Sequence, residues 1–222
     1  MRQIPLAIGP SSDRSFDGYL AGDNRAALEH LRQIAPYSPP VYLWGPAGSG
    51  KSHLLRALAS SWQARGARVG WFAPTTAAPW QFDDAWSLIV LDDCDALDAT
   101  QQQAAFALFV QASAAGIPVV SAGSVPPVDL PLREDLRTRL GWGLVFSLQP
   151  LAEPEVRAVL RREADRRGIF LSDEVMDYLL TRFARDLTHL MALLDRLDEF
   201  ALASQRAVTI PLLKLMLAED SR

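Results

Sequence analysis

The residues Gly45-Pro46-Ala47-Gly48-Ser49-Gly50-Lys51-Ser52 match the phosphate-loop pattern G-x-x-x-x-G-K-[ST] at every fixed position. Gly45, Gly48 and Gly50 let backbone N–H groups turn inward and approach phosphate oxygens with no Cβ in the way. Lys51 would set a point charge against the β- and γ-phosphates, and the Ser52 hydroxyl would ligate Mg²⁺. Of the 22 Lys and Arg side chains, two are lysines, Lys51 and Lys214. A lysine at the one place where guanidinium geometry would be wrong argues against a chance glycine-rich turn.

The run Ser87-Leu88-Ile89-Val90-Leu91-Asp92-Asp93 is a second signal. It carries a carboxylate to the C-terminal end of an apolar strand, where ligands sit in open α/β sheets. Asp92 is placed to hold Mg²⁺ through water, and Asp93 to orient or activate an attacking water. Such a strand end often serves only to cap a helix; about forty residues after a phosphate loop it completes a nucleotide site. Ser121 or Ser124, past the fourth strand, could sense a γ-phosphate or belong to an ordinary turn. Arg139, in the charged stretch Arg133 to Leu140, is either part of a solvated helix or a finger acting on a nucleotide held by a neighbouring subunit. Arg185 has the same two readings: a surface cap, or a cation that reaches the phosphates.

These groups need a scaffold. Five apolar runs bounded by turn residues read as buried parallel strands: Val41 to Trp44, Arg68 to Phe72, Leu88 to Asp92, Ile117 to Ala122 and Leu144 to Leu148. Helical segments alternate with them, at Ala26 to Ile34, at Leu54 to Ala64 and at Thr100 to Ala115. The alternation predicts an α/β fold, a parallel five-stranded sheet with helices on both faces. After Gln149-Pro150 no strand run follows. Helices are expected from Pro154 to Arg167, from Asp173 to Phe183, from Asp186 to Ser204 and from Thr209 to Glu219, forming a small all-helical subdomain.

The 222 residues allow one large domain or a core with a small companion. A hydrophobic fraction of 49% supports a buried core, and a net charge of −4 argues against strong non-specific binding to DNA or anionic membrane. The single Cys94 excludes an internal disulfide framework. No apolar stretch is long enough to span a bilayer, and the N-terminal apolar segment is too short for a signal peptide, so a cytoplasmic protein is expected.

Together, the phosphate loop, the Asp-Asp strand end, the arginine before the last strand and the helical tail resemble the AAA+ ATPases, with the tail as their lid. Three stretches resemble the DnaA-related branch in particular. Ser15 to Asn24 is similar to the segment that covers the adenine. Thr138-Arg139-Leu140-Gly141-Trp142-Gly143-Leu144 is similar to a Ser-Arg-Phe-x-Trp-Gly box, which puts the finger on Arg139. Ala184-Arg185-Asp186-Leu187 is similar to the second nucleotide sensor, which puts that role on Arg185. Gln3-Ile4-Pro5-Leu6-Ala7-Ile8 resembles the short peptide that docks on the replicative sliding clamp, offering Gln3 for hydrogen bonds and Ile4, Leu6 and Ile8 for an apolar pocket.

The resemblance implies residues 1–9 as clamp-binding peptide, 10–150 as AAA+ nucleotide-binding core and 151–222 as lid. No DNA-reading helix-turn-helix domain is expected, which separates the chain from the initiators and points to the regulatory inactivators. The implied cofactors are ADP or ATP with Mg²⁺. The implied partners are DnaA, the DNA polymerase III sliding clamp (beta subunit) and a second copy of the chain, with DNA reached through the clamp. The implied activity is stimulation of ATP hydrolysis by DnaA, a negative control on replication initiation. Ser124-Val125-Pro126-Pro127 replaces the branch's Asp-Arg-x-Pro, and Asp135 stands four before Arg139 in place of an arginine, implying weak or no intrinsic ATPase activity. Two other readings remain open: an ATPase motor, loader or initiator-related protein acting on DNA, and a non-catalytic adaptor whose nucleotide is a folding ligand.

Overall fold

The computed structural model describes residues 15–183 and 187–219. The apolar runs become β1 (Val41–Trp44), β2 (Arg68–Phe72), β3 (Trp86–Leu91), β4 (Val119–Gly123) and β5 (Leu144–Ser147). All neighbours pair in parallel, in the order β2-β3-β4-β1-β5. Two strands start elsewhere than the apolar runs suggest. β4 starts at Val119 rather than Ile117, since Pro118 has no N–H to give a ladder, although its carbonyl still accepts from Ile89 N at 3.0 Å. β3 starts at Trp86, where two half-buried residues extend the pairing with β2 beyond the fully apolar run.

Strand alternation sends successive side chains to opposite faces. Tyr42, Ile89, Leu91 and Val119 pack on one face, against Leu108 and Phe109 of α3 (Ala99–Ala115) and Leu136 and Leu140 of α4 (Glu134–Leu140). Val41, Leu43, Leu88, Val90, Val120 and Ala122 pack on the other, against Leu28 and Leu31 of α1 (Arg25–Arg32) and Leu54, Leu55 and Leu58 of α2 (Lys51–Gln63). With both faces covered, the central strands read as continuous apolar runs. Each fully buried leucine contributes about 1.5–3 kcal/mol relative to exposure. Local signals set the ends of α3. Asp98 and Gln101 exchange capping hydrogen bonds at 2.8 and 3.0 Å, and Gly116 at φ 67° stops the helix in the left-handed region.

From Leu151 the chain forms a second compact unit. It contains α5 (Glu153–Arg166), α6 (Asp173–Arg182), α7 (Leu187–Ser204) and α8 (Ile210–Glu219) around an apolar cluster that includes Leu160, Leu179, Leu190, Leu197 and Leu213. No described helix is long and apolar enough to cross a membrane. Glu163 is the buried polar anchor of this unit. Its carboxylate accepts from Arg166 and from Arg167 Nε at 2.9 Å, and Arg167 also pairs with Asp195 of α7.

Burial pushes the Glu163 carboxyl up, but the hydrogen bond from Arg166 and the charges of Arg167 and Arg166 outweigh it and hold it below its ordinary value of 4.5. A depressed carboxyl stabilises the fold above its unfolded value, and that stabilisation is lost as pH falls through the folded value. Glu163→Gln is therefore expected to cost about 1–2 kcal/mol at neutral pH. Hydrogen exchange of α5 and α7 amides is the measurement. The variant should lose protection at neutral pH and converge with the parent as pH falls below 4.5 and through the lowered folded value; equal protection at neutral pH would remove Glu163 as the anchor.

Candidate functional site

The parallel sheet places the ends of β1, β3 and β4 side by side, and the phosphate-loop residues, Asp92, Asp93 and Ser124 gather there. The loop Gly45 to Gly50 leaves the C-terminal end of β1 and enters α2. Gly50 (φ 89°) and Gly48 (φ 76°) occupy the left-handed region. A Cβ at Gly45 would come within 2.3 Å of the Leu148 carbonyl oxygen, and one at Gly50 within 2.6 Å of the Tyr19 ring. The first turn of α2 has no side-chain cap, so its N–H groups and the positive end of its dipole face the loop.

Lys51 is buried, and its Nζ donates to the carbonyl oxygens of Gly45 at 2.7 Å and Pro46 at 2.9 Å. Desolvation lowers its pKa; the charges of Asp93, Asp95 and Asp92 work against that. Ser52 Oγ donates to Asp92 Oδ1 at 3.2 Å across forty residues of sequence, and Asp93 N donates to the same oxygen at 3.1 Å. Asp92 is buried, and desolvation raises its pKa against the hydrogen bond from Ser52. Asp93 is exposed at φ 51°, a conformation that aspartate tolerates better than most residues.

Ser49 Oγ is buried and finds no hydrogen-bond partner among the described residues. A buried hydroxyl without a partner, an ammonium that meets only carbonyls and an uncapped helix end form a donor set with no acceptor of matching charge. The set fits a polyphosphate. The neighbouring Ser52 hydroxyl and Asp92 carboxylate offer oxygen ligands of the kind Mg²⁺ takes.

The other sequence candidates fall differently. Ser121 is buried inside β4 and its hydroxyl goes to the Val41 carbonyl at 3.2 Å, which removes it from the strand ends. Ser124 lies at the exposed end of β4, where Asp95 accepts from its N at 3.0 Å and its Oγ at 2.7 Å. Arg139 lies in the last turn of α4. The connection after it enters β5 at Leu144, which pairs with Val41, the first residue of β1. Arg139 therefore stands toward the N-terminal ends of the strands, opposite the end that carries Lys51. Arg185 lies outside the described residues, as do Gln3, Ile4, Leu6 and Ile8.

The structure adds Asp95, which sequence reasoning missed, and gives contacts to Tyr19 and Asn24, which the sequence marked only as part of the Ser15 to Asn24 stretch. Asp95 ties the turn after β3 to the end of β4; the sequence signal was a third aspartate two positions past the pair. Tyr19 stands against Gly50, and Asn24 secures it. Asn24 Nδ2 donates to Tyr19 Oη at 3.1 Å and to the Gln149 carbonyl at 2.8 Å, while Gln149 N donates back to Asn24 Oδ1 at 2.8 Å. Nothing local in the sequence marks a contact between residues 24 and 149.

Comparison with known proteins gives this geometry a family. Residues 153–217 match the model described as Hda, lid domain, and residues 27–88 match an AAA domain. An uncharacterized protein of Haemophilus influenzae is 33% identical, covering 97% of this chain and 98% of its own. Domain III of the Thermotoga maritima replication initiation protein DnaA superposes with a TM-score of 0.78 at 20% identity, covering 94% of this chain and 97% of that one. The chain belongs to the Hda-like, DnaA-related AAA+ proteins. AMPPCP-bound DnaA from Aquifex aeolicus shares the fold at a TM-score of 0.68 and 19% identity, over 83% of this chain and 65% of that one. The helical unit of this family member is its lid.

Burying an ionised Asp92 costs stability. Because its folded pKa is raised, the carboxyl favours the fold at low pH, and that contribution is lost as pH rises through the raised value. Asp92→Asn should raise the melting temperature of the ligand-free protein by a few degrees at pH 7.5. The advantage should shrink as pH falls toward the ordinary aspartate value of 3.8. Thermal melts of the two proteins across that range would show it; an unchanged or lower melting temperature for the variant at pH 7.5 would mean the buried charge is compensated.

Proposed function

We propose that this chain is a nucleotide-bound regulatory inactivator of DnaA. The observation that carries the reading is the separation of Arg139 from Lys51 at opposite ends of the same parallel sheet. An arginine that cannot serve the phosphate loop of its own chain is suited to a nucleotide held by another molecule. Family membership, with the lid-domain match, supports DnaA as that molecule.

In this reading ADP or ATP lies against Gly45, Gly48, Gly50, Lys51 and Ser52, with Mg²⁺ at Ser52 and Asp92 and with Arg185 of the lid as phosphate sensor. The loop N–H groups and Lys51 would neutralise the negative charge of the nucleotide's phosphates. Asp93 is available to orient water, but Ser124 is tied to Asp95, which leaves the end of β4 poorly equipped to assist turnover. Intrinsic hydrolysis is therefore weak, and the working group is Arg139. Gln3, Ile4, Leu6 and Ile8 dock the chain on the sliding clamp, on the strength of their resemblance to clamp-binding peptides. Arg139 is then offered to ATP on DnaA, where its permanent charge and planar donor fork stabilise the transferring phosphoryl group. The product is DnaA carrying ADP.

Two measurements test this. Saturating nucleotide should raise the melting temperature of the parent, since ligand at a hundredfold over Kd stabilises by about 2.7 kcal/mol, and Lys51→Ala should remove the rise. ATP hydrolysis by DnaA should increase when this chain, ADP and a DNA-loaded clamp are all present, and fall back when any one is omitted. Fingers are worth about 10³–10⁵ in rate, so Arg139→Ala should return hydrolysis to the unstimulated level while leaving the nucleotide-dependent melt intact. Stimulation that survives Arg139→Ala would leave the chain an adaptor. Turnover by the chain itself on DNA alone would make it a motor or loader.

A further inference from the structure

Arg139 makes no ion pair among the described residues. The nearest acidic side chain of its own helix on the same face, Asp135, is already committed: it accepts from Arg133 at 2.8 Å and from Leu136 N at 2.8 Å. The partner that Arg139 does have is aromatic. Its guanidinium carbon lies over the Trp142 ring, 5.1 Å from the centroid. Trp142 is 66% exposed, an unusual position for the largest apolar side chain.

The backbone beneath Trp142 is tightly held. Trp142 N donates to the Arg139 carbonyl at 3.3 Å, closing the turn, and Leu144 N donates to the Pro40 carbonyl at 2.9 Å. A Cβ on Gly143 would come within 1.9 Å of that Pro40 oxygen, and one on Gly141 within 3.2 Å of Pro127 Cβ. The two glycines let the turn press against both prolines, so the indole stands on a fixed base while its face is open.

We infer that Trp142 is a positioning residue for Arg139: its ring holds the guanidinium in the presented rotamer without occupying the N–H donors. A carboxylate would hold the arginine more firmly, but it would bind the donors that a phosphoryl group needs and would have to be displaced when that group arrives. An aromatic face attracts the cation through its quadrupole and leaves the donor fork uncommitted. This inference rests on the finger reading given above. It assigns Trp142 to the chain's own arginine rather than to a surface of the partner.

Nuclear magnetic resonance of the arginine side chains tests it without any partner. The Arg139 Nε–H signal, identified by its loss in Arg139→Ala, should be displaced upfield by the indole ring current and should move to the position of an unstacked arginine in Trp142→Ala. An unchanged position in Trp142→Ala overturns the inference, whatever the activity. In the DnaA hydrolysis assay Trp142→Ala should lower the plateau rate about two- to fivefold, with little change in the half-saturating concentration. Trp142→Phe should recover most of the loss, and Arg139→Ala with Trp142→Ala should be no worse than Arg139→Ala alone. A preserved plateau reached only at higher protein concentration would make Trp142 a docking contact and overturn the positioning role. Absence of stimulation by the parent would count against the inactivator reading, and the resonance position would still decide the role of Trp142.

Discussion

The structure turns on two buried charges, Lys51 and Asp92, brought to the ends of β1 and β3 on either side of β4 and joined through Ser52 rather than to each other. A buried ammonium and a buried carboxylate each lose hydration, and here the replacements are two loop carbonyls on one side and a hydroxyl and a backbone N–H on the other. Their opposite pKa shifts, Lys51 down and Asp92 up, report that the replacement is incomplete. The two apolar layers of the sheet supply the stability that lets this polar end persist. The buried Ser49 hydroxyl, with no partner of its own, belongs to the same incompletely satisfied end.

Parallel pairing then gives the molecule a direction. All five strands end on the same side, so the loop after β1, Asp92 after β3 and Ser124 after β4 must converge. The connection that enters β5 must begin on the other side. Arg139 is separated from the phosphate loop by this polarity and not by any local feature of α4. Such a division is what the proposed function requires, with the chain's own nucleotide site and its action on another nucleotide as separate tasks. It also explains how Asp95 can tie up Ser124 at one end without affecting Arg139 at the other.

The turn Gly141 to Gly143 shows how close packing serves an exposed group. Gly143 allows a backbone approach to Pro40 that any side chain would prevent, and Gly141 an approach to Pro127 that a side chain would crowd. What the approach secures is the orientation of a largely exposed tryptophan. At the other end of the chain's sheet, Tyr19 lies against Gly50 in a similar way, secured through Asn24 to Gln149.

The sequence by itself determined most of the elements and the residue types of the loop. Apolar runs marked all five strands to within a few residues, and periodicity with capping and turn signals marked the helices apart from α4, whose charged stretch was left with two readings, because those signals act over three or four neighbours. The placing of Gly45 to Ser52 between β1 and α2 was legible because it is one contiguous loop, and that of Asp92 because it ends a strand. Pro118 and the half-buried start of β3 show where local reading slipped. The tertiary structure decided what depends on distant pairing. Strand order sets Ser52 against Asp92, buries Ser121 on the Val41 carbonyl, ties Ser124 to Asp95 and links Asn24 to Gln149. Each of these contacts joins residues about thirty to more than a hundred positions apart, and hydrogen bonds at that separation exist only after the sheet has chosen its order and register.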